Sequence, residues 1–316
     1  MTIDRIRANS LFILGVQKAG TTSLHDLLAQ HPAIAAADPK EPNHYIKTSA
    51  KQRMILQDGS TELSALPYYG TEDYAAIFAP TSDETRFFLD SSTGYFPYDE
   101  ALDAIAQRCT DPRVIVVLRE PVSRAYSAYN WARKVGWEPL ESFEEALAAE
   151  PARRAQDYWF SFWYAGHGLY ADRLVAVQKR FPDCRFVLFD DLIADPAQVC
   201  RDVFAWLGLP HAPVESLKAN PSGVDRGLLK RKLRAIVTRR RTEQGPIAAF
   251  VRKIIPAKLL RSIKGKITSD LDARIVPPAR LSDELKAQLA EGFASDIAAT
   301  EKLIGRDLGA WKKPRA

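Results

Sequence analysis

Short runs of consecutive apolar residues punctuate the chain at Leu11–Val16, Arg86–Asp90, Arg113–Leu118 and Arg185–Asp190, each bounded by polar residues, glycine or proline. Runs of this length without alternation suit strands covered on both faces, as in a parallel sheet. Between them, apolar residues recur at helical spacing. Leu24, Leu27 and Leu28 follow Thr22, Leu174, Val175 and Val177 lie within Ala171–Phe181, and Val199, Val203, Phe204 and Leu207 lie within Pro196–Leu207. Pro121 opens another helix toward Lys134, since proline is at home in a first helical turn. His31-Pro32 ends the helix begun at Thr22, because the residue before a proline is pushed out of the α region. Gly208 can take the left-handed cap after Leu207, and Ser282 caps a last amphipathic helix, about 282–306, with Leu285, Leu289, Phe293, Ile297 and Ile304.

Strand and helix alternate, which predicts an α/β fold: a P-loop-like three-layer sandwich with a central parallel sheet flanked by helices. The pattern reads as one domain over residues 1–316, with a core at about 10–210, a basic helical segment at 226–267 and the C-terminal helix. No internal repeat is visible.

Composition changes this picture in two places. Of 316 residues, 46% are apolar and 26% charged, which is ordinary for a globular enzyme and enough for a core without staples. Cys109, Cys184 and Cys200 show no disulfide or zinc spacing, so a reducing, cytoplasmic setting is expected. The first ten residues lead straight into Leu11–Val16, an apolar run expected to be far too short for a signal h-region or a membrane span. Charge, by contrast, is uneven. From Arg226 to Ile267 fourteen Lys and Arg face Glu243 alone, a local net of +13, so the rest of a chain at +5 carries −8. The apolar residues among those cations, Leu228 and Ile254 among them, suggest amphipathic helices broken at Gly245-Pro246. They read either as a flap or a patch for peripheral contact with an anionic membrane, or as a solvated hairpin on the core. No nucleic-acid module accompanies the charge.

The informative stretch is Gly15-Val16-Gln17-Lys18-Ala19-Gly20-Thr21-Thr22, between a strand and a helix. Its two glycines let backbone N–H groups converge on an anion, and the helix start adds donors and a partial positive charge. It is not a Walker A loop, whose lysine directly follows the second glycine: Thr21 stands there, and the lysine lies inside the loop as Lys18. A kinase with a displaced lysine, using ATP and Mg²⁺, is one alternative. A non-catalytic nucleotide binder on a membrane surface is another.

A second element follows the strand Arg113–Leu118. Arg119 stands at its carboxyl end, where open α/β sheets bind ligands, with a planar fork suited to phosphate. Ser127 lies about two turns along the next helix, with Arg124, Tyr126, Tyr129 and Trp131 nearby. Two anion sites suit a nucleotide phosphorylated at both its 5′ and 3′ positions. The cluster Tyr158–Tyr164 reads as core or as the wall of an acceptor pocket.

These motifs resemble those of PAPS-dependent sulfotransferases, whose donor is 3′-phosphoadenosine 5′-phosphosulfate. Gln17 to Ser23 looks like that family's 5′-phosphosulfate loop. Val117-Leu118-Arg119-Glu120-Pro121 through Arg124, Ser127 and Tyr129 looks like its 3′-phosphate motif, and the similarity continues through Gly168-Leu169-Tyr170 and Asp190–Pro196. The resemblance implies that Lys18, Ala19, Gly20, Thr21, Thr22 and Ser23 hold the 5′ end, with Lys18 steadying the leaving phosphate, and that Arg119 and Ser127 hold the 3′-phosphate. The histidine of the small-molecule branch is missing from Leu89–Tyr95. Lys40-Glu41-Pro42-Asn43-His44-Tyr45 is similar to the heparan-type branch, which makes Glu41 the candidate base and His44 its competitor or an acceptor contact; a solvated loop carboxylate is the plain alternative. Ser91 and Ser92 stand where heparan-type relatives carry a lysine, which weighs against a polyanionic acceptor. The implied reaction moves the sulfuryl group of PAPS to a hydroxyl or amine of a carbohydrate, glycolipid or small-molecule acceptor, without a metal.

Overall fold

The computed structural model describes residues 2–46, 52–55, 61–64, 71–78, 81–215 and 280–312. Its centre is a five-stranded parallel sheet. In chain order the strands are β1 (Ser10–Gly15), β2 (Ile34–Ala36), β5 (Phe87–Asp90), β6 (Arg113–Leu118) and β7 (Arg185–Leu188), and in space they run β2-β5-β1-β6-β7. A separate antiparallel hairpin pairs β3 (Gln52–Ile55) with β4 (Thr61–Ser64). It leans on the sheet domain through Arg53, whose amide donates to Asp157 O (3.0 Å) and whose carbonyl accepts from Trp159 N (3.1 Å).

The central strands are apolar because helices cover both faces. Leu11, Phe12, Ile13 and Leu14 of β1 and Val114 through Leu118 of β6 are fully buried. The helices are α1 (Ile3–Ala8), α2 (Thr21–Leu28), α3 (Thr71–Ala76), α4 (Asp99–Arg108), α5 (Pro121–Val135), α6 (Phe143–Ala155), α7 (Ala171–Arg180), α8 (Phe189–Ala194), α9 (Pro196–Trp206) and α10 (Asp283–Ile304). None among the described residues is long and apolar enough to cross a membrane.

From β1 the chain runs through α2 toward β2, whereas from β6 it runs through α5 and α6 toward β7 on the opposite side. Neighbouring strands whose connections diverge leave a crevice at their carboxyl ends, where α/β sheets take ligands. The loops after β1 and β6, both singled out by sequence, form its two sides.

The C-terminal helix braces one of those sides. Asp296 on α10 accepts from the amides of Tyr170 (2.7 Å) and Ala171 (3.1 Å), capping α7 from a distance. The Tyr170 hydroxyl donates to the Arg119 carbonyl (2.7 Å).

Several expected boundaries move by a residue or two. The run Arg185–Asp190 stops as a strand at Leu188, because Phe189 and Asp190 already open α8 with acidic residues in its first turn. The helix expected to begin at Thr22 spans Thr21–Leu28, ending before the His31-Pro32 stop. The segment 226–267 lies outside the described residues.

Candidate active site

The loop from Gly15 to Ser23 begins at the end of β1. Gly20 takes φ +90°, and a Cβ there would lie 2.9 Å from Phe189 Cδ2, so glycine meets both demands. Lys18 adopts φ +70°, a conformation uncommon for a residue with a side chain. The Ala19 amide is used inside the loop, donating to Val16 O (3.1 Å). No side chain caps α2 at Gly20. The amide ends at Thr21, Thr22 and Ser23 therefore present the positive pole of the helix to the crevice. Gln17 turns the other way: its Nε2 donates to Ser161 Oγ (2.7 Å).

Cations gather over this open helix start. Arg119 Nη1 donates to the Lys18 carbonyl (3.0 Å), joining the two sides of the crevice. Its guanidinium lies 4.4 Å from the Phe189 ring centroid, over the same ring that excludes a side chain at Gly20. Burial, then Arg119, Lys134 and Lys40, push the Lys18 amine down to about 8, while Glu41 acts the other way. Such a pocket favours an incoming anion, which relieves the crowding of like charge.

Glu41 is held at the mouth. It adopts φ +63°. Its Oε1 pairs with Lys40 Nζ (3.0 Å), and its Oε2 accepts from Thr93 Oγ1 (3.0 Å) and Thr93 N (3.3 Å), leaving the side chain 38% exposed. Beneath it lies buried Asp90, which accepts from Ser92 Oγ (2.7 Å), Tyr95 OH (2.9 Å) and Tyr74 OH (2.9 Å). Two of those hydroxyls accept in turn from the Glu41 loop: Ser92 Oγ from Asn43 N (3.0 Å) and Tyr95 OH from Tyr45 N (3.3 Å). Asp90 thereby anchors the loop backbone through hydroxyl bridges. Burial pushes its carboxyl up to about 6, against the pull of those hydroxyls.

The structure thus unites Lys18, Glu41, Arg119 and the start of α2. Ser127 is half-buried on α5, four residues before Trp131 and so on the same helix face; the Trp131 ring centroid is 5.8 Å from Lys18 Nζ. His44 is placed elsewhere. It is buried, stacked on Tyr74 at 4.0 Å between ring centroids and edge-on to Tyr45. Arg124 also turns inward, 1% exposed, donating from Nη2 to the Tyr164 carbonyl. Within Tyr158–Tyr164 the core reading holds for Phe160, Phe162 and Tyr164, which are buried, whereas Tyr158, Trp159 and Trp163 are half-buried. Asp90 and Thr93 carry no signal of a site role in the sequence, because they become visible only as partners of the Glu41 loop across the fold.

A family model described as "Sulfotransferase family" matches residues 10–213. Among curated proteins, the human bifunctional heparan sulfate N-deacetylase/N-sulfotransferase 3 is 28% identical over 217 residues, 66% of this chain and 23% of that protein. The mouse heparan sulfate glucosamine 3-O-sulfotransferase 3A1 is 29% identical over 201 residues, 62% of this chain and 45% of that one. The chain therefore spans less than half the length of these relatives. Among solved structures, a sulfotransferase from Alicyclobacillus acidocaldarius superposes with a TM-score of 0.70 at 25% identity, covering 96% of this chain and 99% of the other. With a family model spanning more than half of its length, the chain belongs to the Sulfotransferase family.

Proposed function

We propose that the crevice binds PAPS and transfers its sulfuryl group to a hydroxyl or amine of a glycan or small-molecule acceptor. The observation that carries this reading is the uncapped start of α2 beneath Lys18 and Arg119, an anion site on the ligand-binding edge of a sulfotransferase fold. PAPS supplies an already activated sulfur–oxygen bond. The α2 amides and the Lys18 ammonium bind the 5′ end and meet the charge that grows on the leaving oxygen as that bond breaks. Arg119 and Ser127 bind the 3′-phosphate, Arg119 with its fork fixed over Phe189. Glu41 takes the proton from the attacking oxygen or nitrogen as the new bond to sulfur forms. Its ties to Lys40 and Thr93 hold the carboxylate in a fixed place. The half-buried Trp159 and Trp163 suit an acceptor with an apolar face. The segment 226–267 serves as an acceptor flap or a contact with an anionic membrane surface. That part of the reading, and a cytoplasmic setting, are supported by the charge pattern and by three free, buried cysteines.

Incubation with sulfur-labelled PAPS and a panel of carbohydrates, glycolipids, phenols and amines tests the reading. The wild type labels at least one acceptor, and Glu41→Gln, which keeps shape but not basicity, lowers kcat by about 10²-fold with donor affinity nearly intact. Glu41→Gln turning over at the wild-type rate would remove it as the base. Absence of label with every acceptor class would count against the transfer itself.

A further inference from the structure

Lys18 has an aromatic neighbour that the donor reading leaves without a role. Its Nζ lies 5.8 Å from the Trp131 ring centroid, within the range where a ring face attracts a cation. Among the described residues, the charged groups around Lys18 are Arg119 just after β6, Lys134 on α5, Lys40 on the Glu41 loop, and one anion, Glu41. Burial and three cations all favour the neutral amine, a poor ligand for phosphate. The Trp131 ring acts in the opposite sense.

That ring is held in place. Trp131 packs edge-on against Trp137 at 4.9 Å and 90°, and Trp137 rests on Trp159 at 5.3 Å. The Trp159 amide is bonded in turn to Arg53 of the hairpin (3.1 Å). Three contiguous rings therefore link the Lys18 contact to the β3 strand of the hairpin. On α5 the ring also shares a face with Ser127, so one helix sets both ends of the donor site.

We infer that Trp131 is a positioning residue of the donor site, whose ring keeps Lys18 charged and aimed until the phosphates of the donor take over that task. The inference rests on Lys18 being the donor cation. It extends that reading to a residue whose side chain touches neither reacting atom.

The sign of the pH effect follows. An anion binds the ammonium, so affinity for a bisphosphorylated nucleotide is full below about 8 and falls as pH rises through the Lys18 transition. Removing the ring face favours the neutral amine and moves the fall to lower pH.

The experiment is calorimetric titration of adenosine 3′,5′-bisphosphate into the full chain between about pH 6.5 and about pH 9.5, across that transition. Wild type, Trp131→Leu, Trp131→Phe and Lys18→Ala are compared. Trp131→Leu is expected to shift the midpoint down by about half a unit to one unit, and Trp131→Phe less, in the same direction. Lys18→Ala loses the transition. A Trp131→Leu midpoint equal to or above that of wild type, with the transition still lost in Lys18→Ala, overturns the role of Trp131 and leaves the donor reading standing. A transition that survives in Lys18→Ala overturns the donor role of Lys18 and the inference with it. If circular dichroism shows Trp131→Leu unfolded, Trp131→Phe decides, and no downward shift in it contradicts the inference.

Discussion

Two helices start at the carboxyl ends of adjacent strands, and their first turns are built in opposite ways. Helix α5, after β6, is closed. Glu120 accepts from Val122 N (2.6 Å) and Ser123 N (2.7 Å), and Pro121 at its first position has no N–H to offer. Helix α2, after β1, is open: it starts at a left-handed glycine with no side-chain cap, under a cluster of cations. A helix start filled by its own carboxylate has no room for a second anion. One left bare among cations is costly until an anion arrives. The same crevice therefore separates two tasks. On the proposed reading the capped helix is scaffold, carrying Arg119 just before it and Ser127 and Trp131 along it, while the bare helix is the receptor.

The largest expected effect comes from the open side. Lys18→Ala should lower transfer by about 10³-fold, because the contact matters most as charge develops on the leaving oxygen. Stability should hold or rise, since a half-buried ammonium among Arg119, Lys134 and Lys40 is removed. Rates measured alongside thermal unfolding check both halves. Turnover within a few-fold of wild type would dissolve the contrast between the helices.

The smaller effect comes from the closed side and has the opposite character. Glu120→Ala strips a cap from α5 and should cost about 1–2 kcal/mol of stability. Among molecules that remain folded, transfer should stay within about tenfold of wild type, because Arg119 is still held by Phe189 and by Tyr170. Denaturant unfolding and kcat/KM separate the two. A Glu120→Ala protein as stable as wild type but inactive would mean that the capped start also belongs to the chemistry.

Much of this contrast was legible in the residues. The strand Arg113–Leu118 is found with the expected bounds, because an uninterrupted apolar run between Arg113 and Arg119 has few other homes in an α/β chain. The Gly15–Gly20 spacing marked the open loop, and Pro121 marked the closed helix. Ser282 caps the last helix as read, accepting from Leu285 N (3.2 Å). The strand Ile34–Ala36 was missed because three residues are too few to show a period. The helix Phe143–Ala155 was missed although its capping box, Ser142 with Glu145, stands in the sequence. The support of Glu41 could not be read at all. It depends on Asp90 at the end of β5 meeting a loop almost fifty residues earlier in the chain through the hydroxyls of Ser92 and Tyr95, a meeting made only by the sheet order. For the same reason His44, three residues after Glu41, ends in a ring stack on Tyr74.

The central claim is that the crevice between β1 and β6 receives a nucleotide phosphorylated at both ends, with the 5′ end on the bare helix. Calorimetric titration of adenosine 3′,5′-bisphosphate, AMP and ATP in the presence of a chelator tests it most directly. The account predicts that the bisphosphate binds at least about tenfold more tightly than AMP or ATP without Mg²⁺, since its second phosphate adds charge-assisted bonds to Arg119 and Ser127. Equal affinity for AMP, or ATP binding that is tighter and strictly Mg²⁺-dependent, would contradict it.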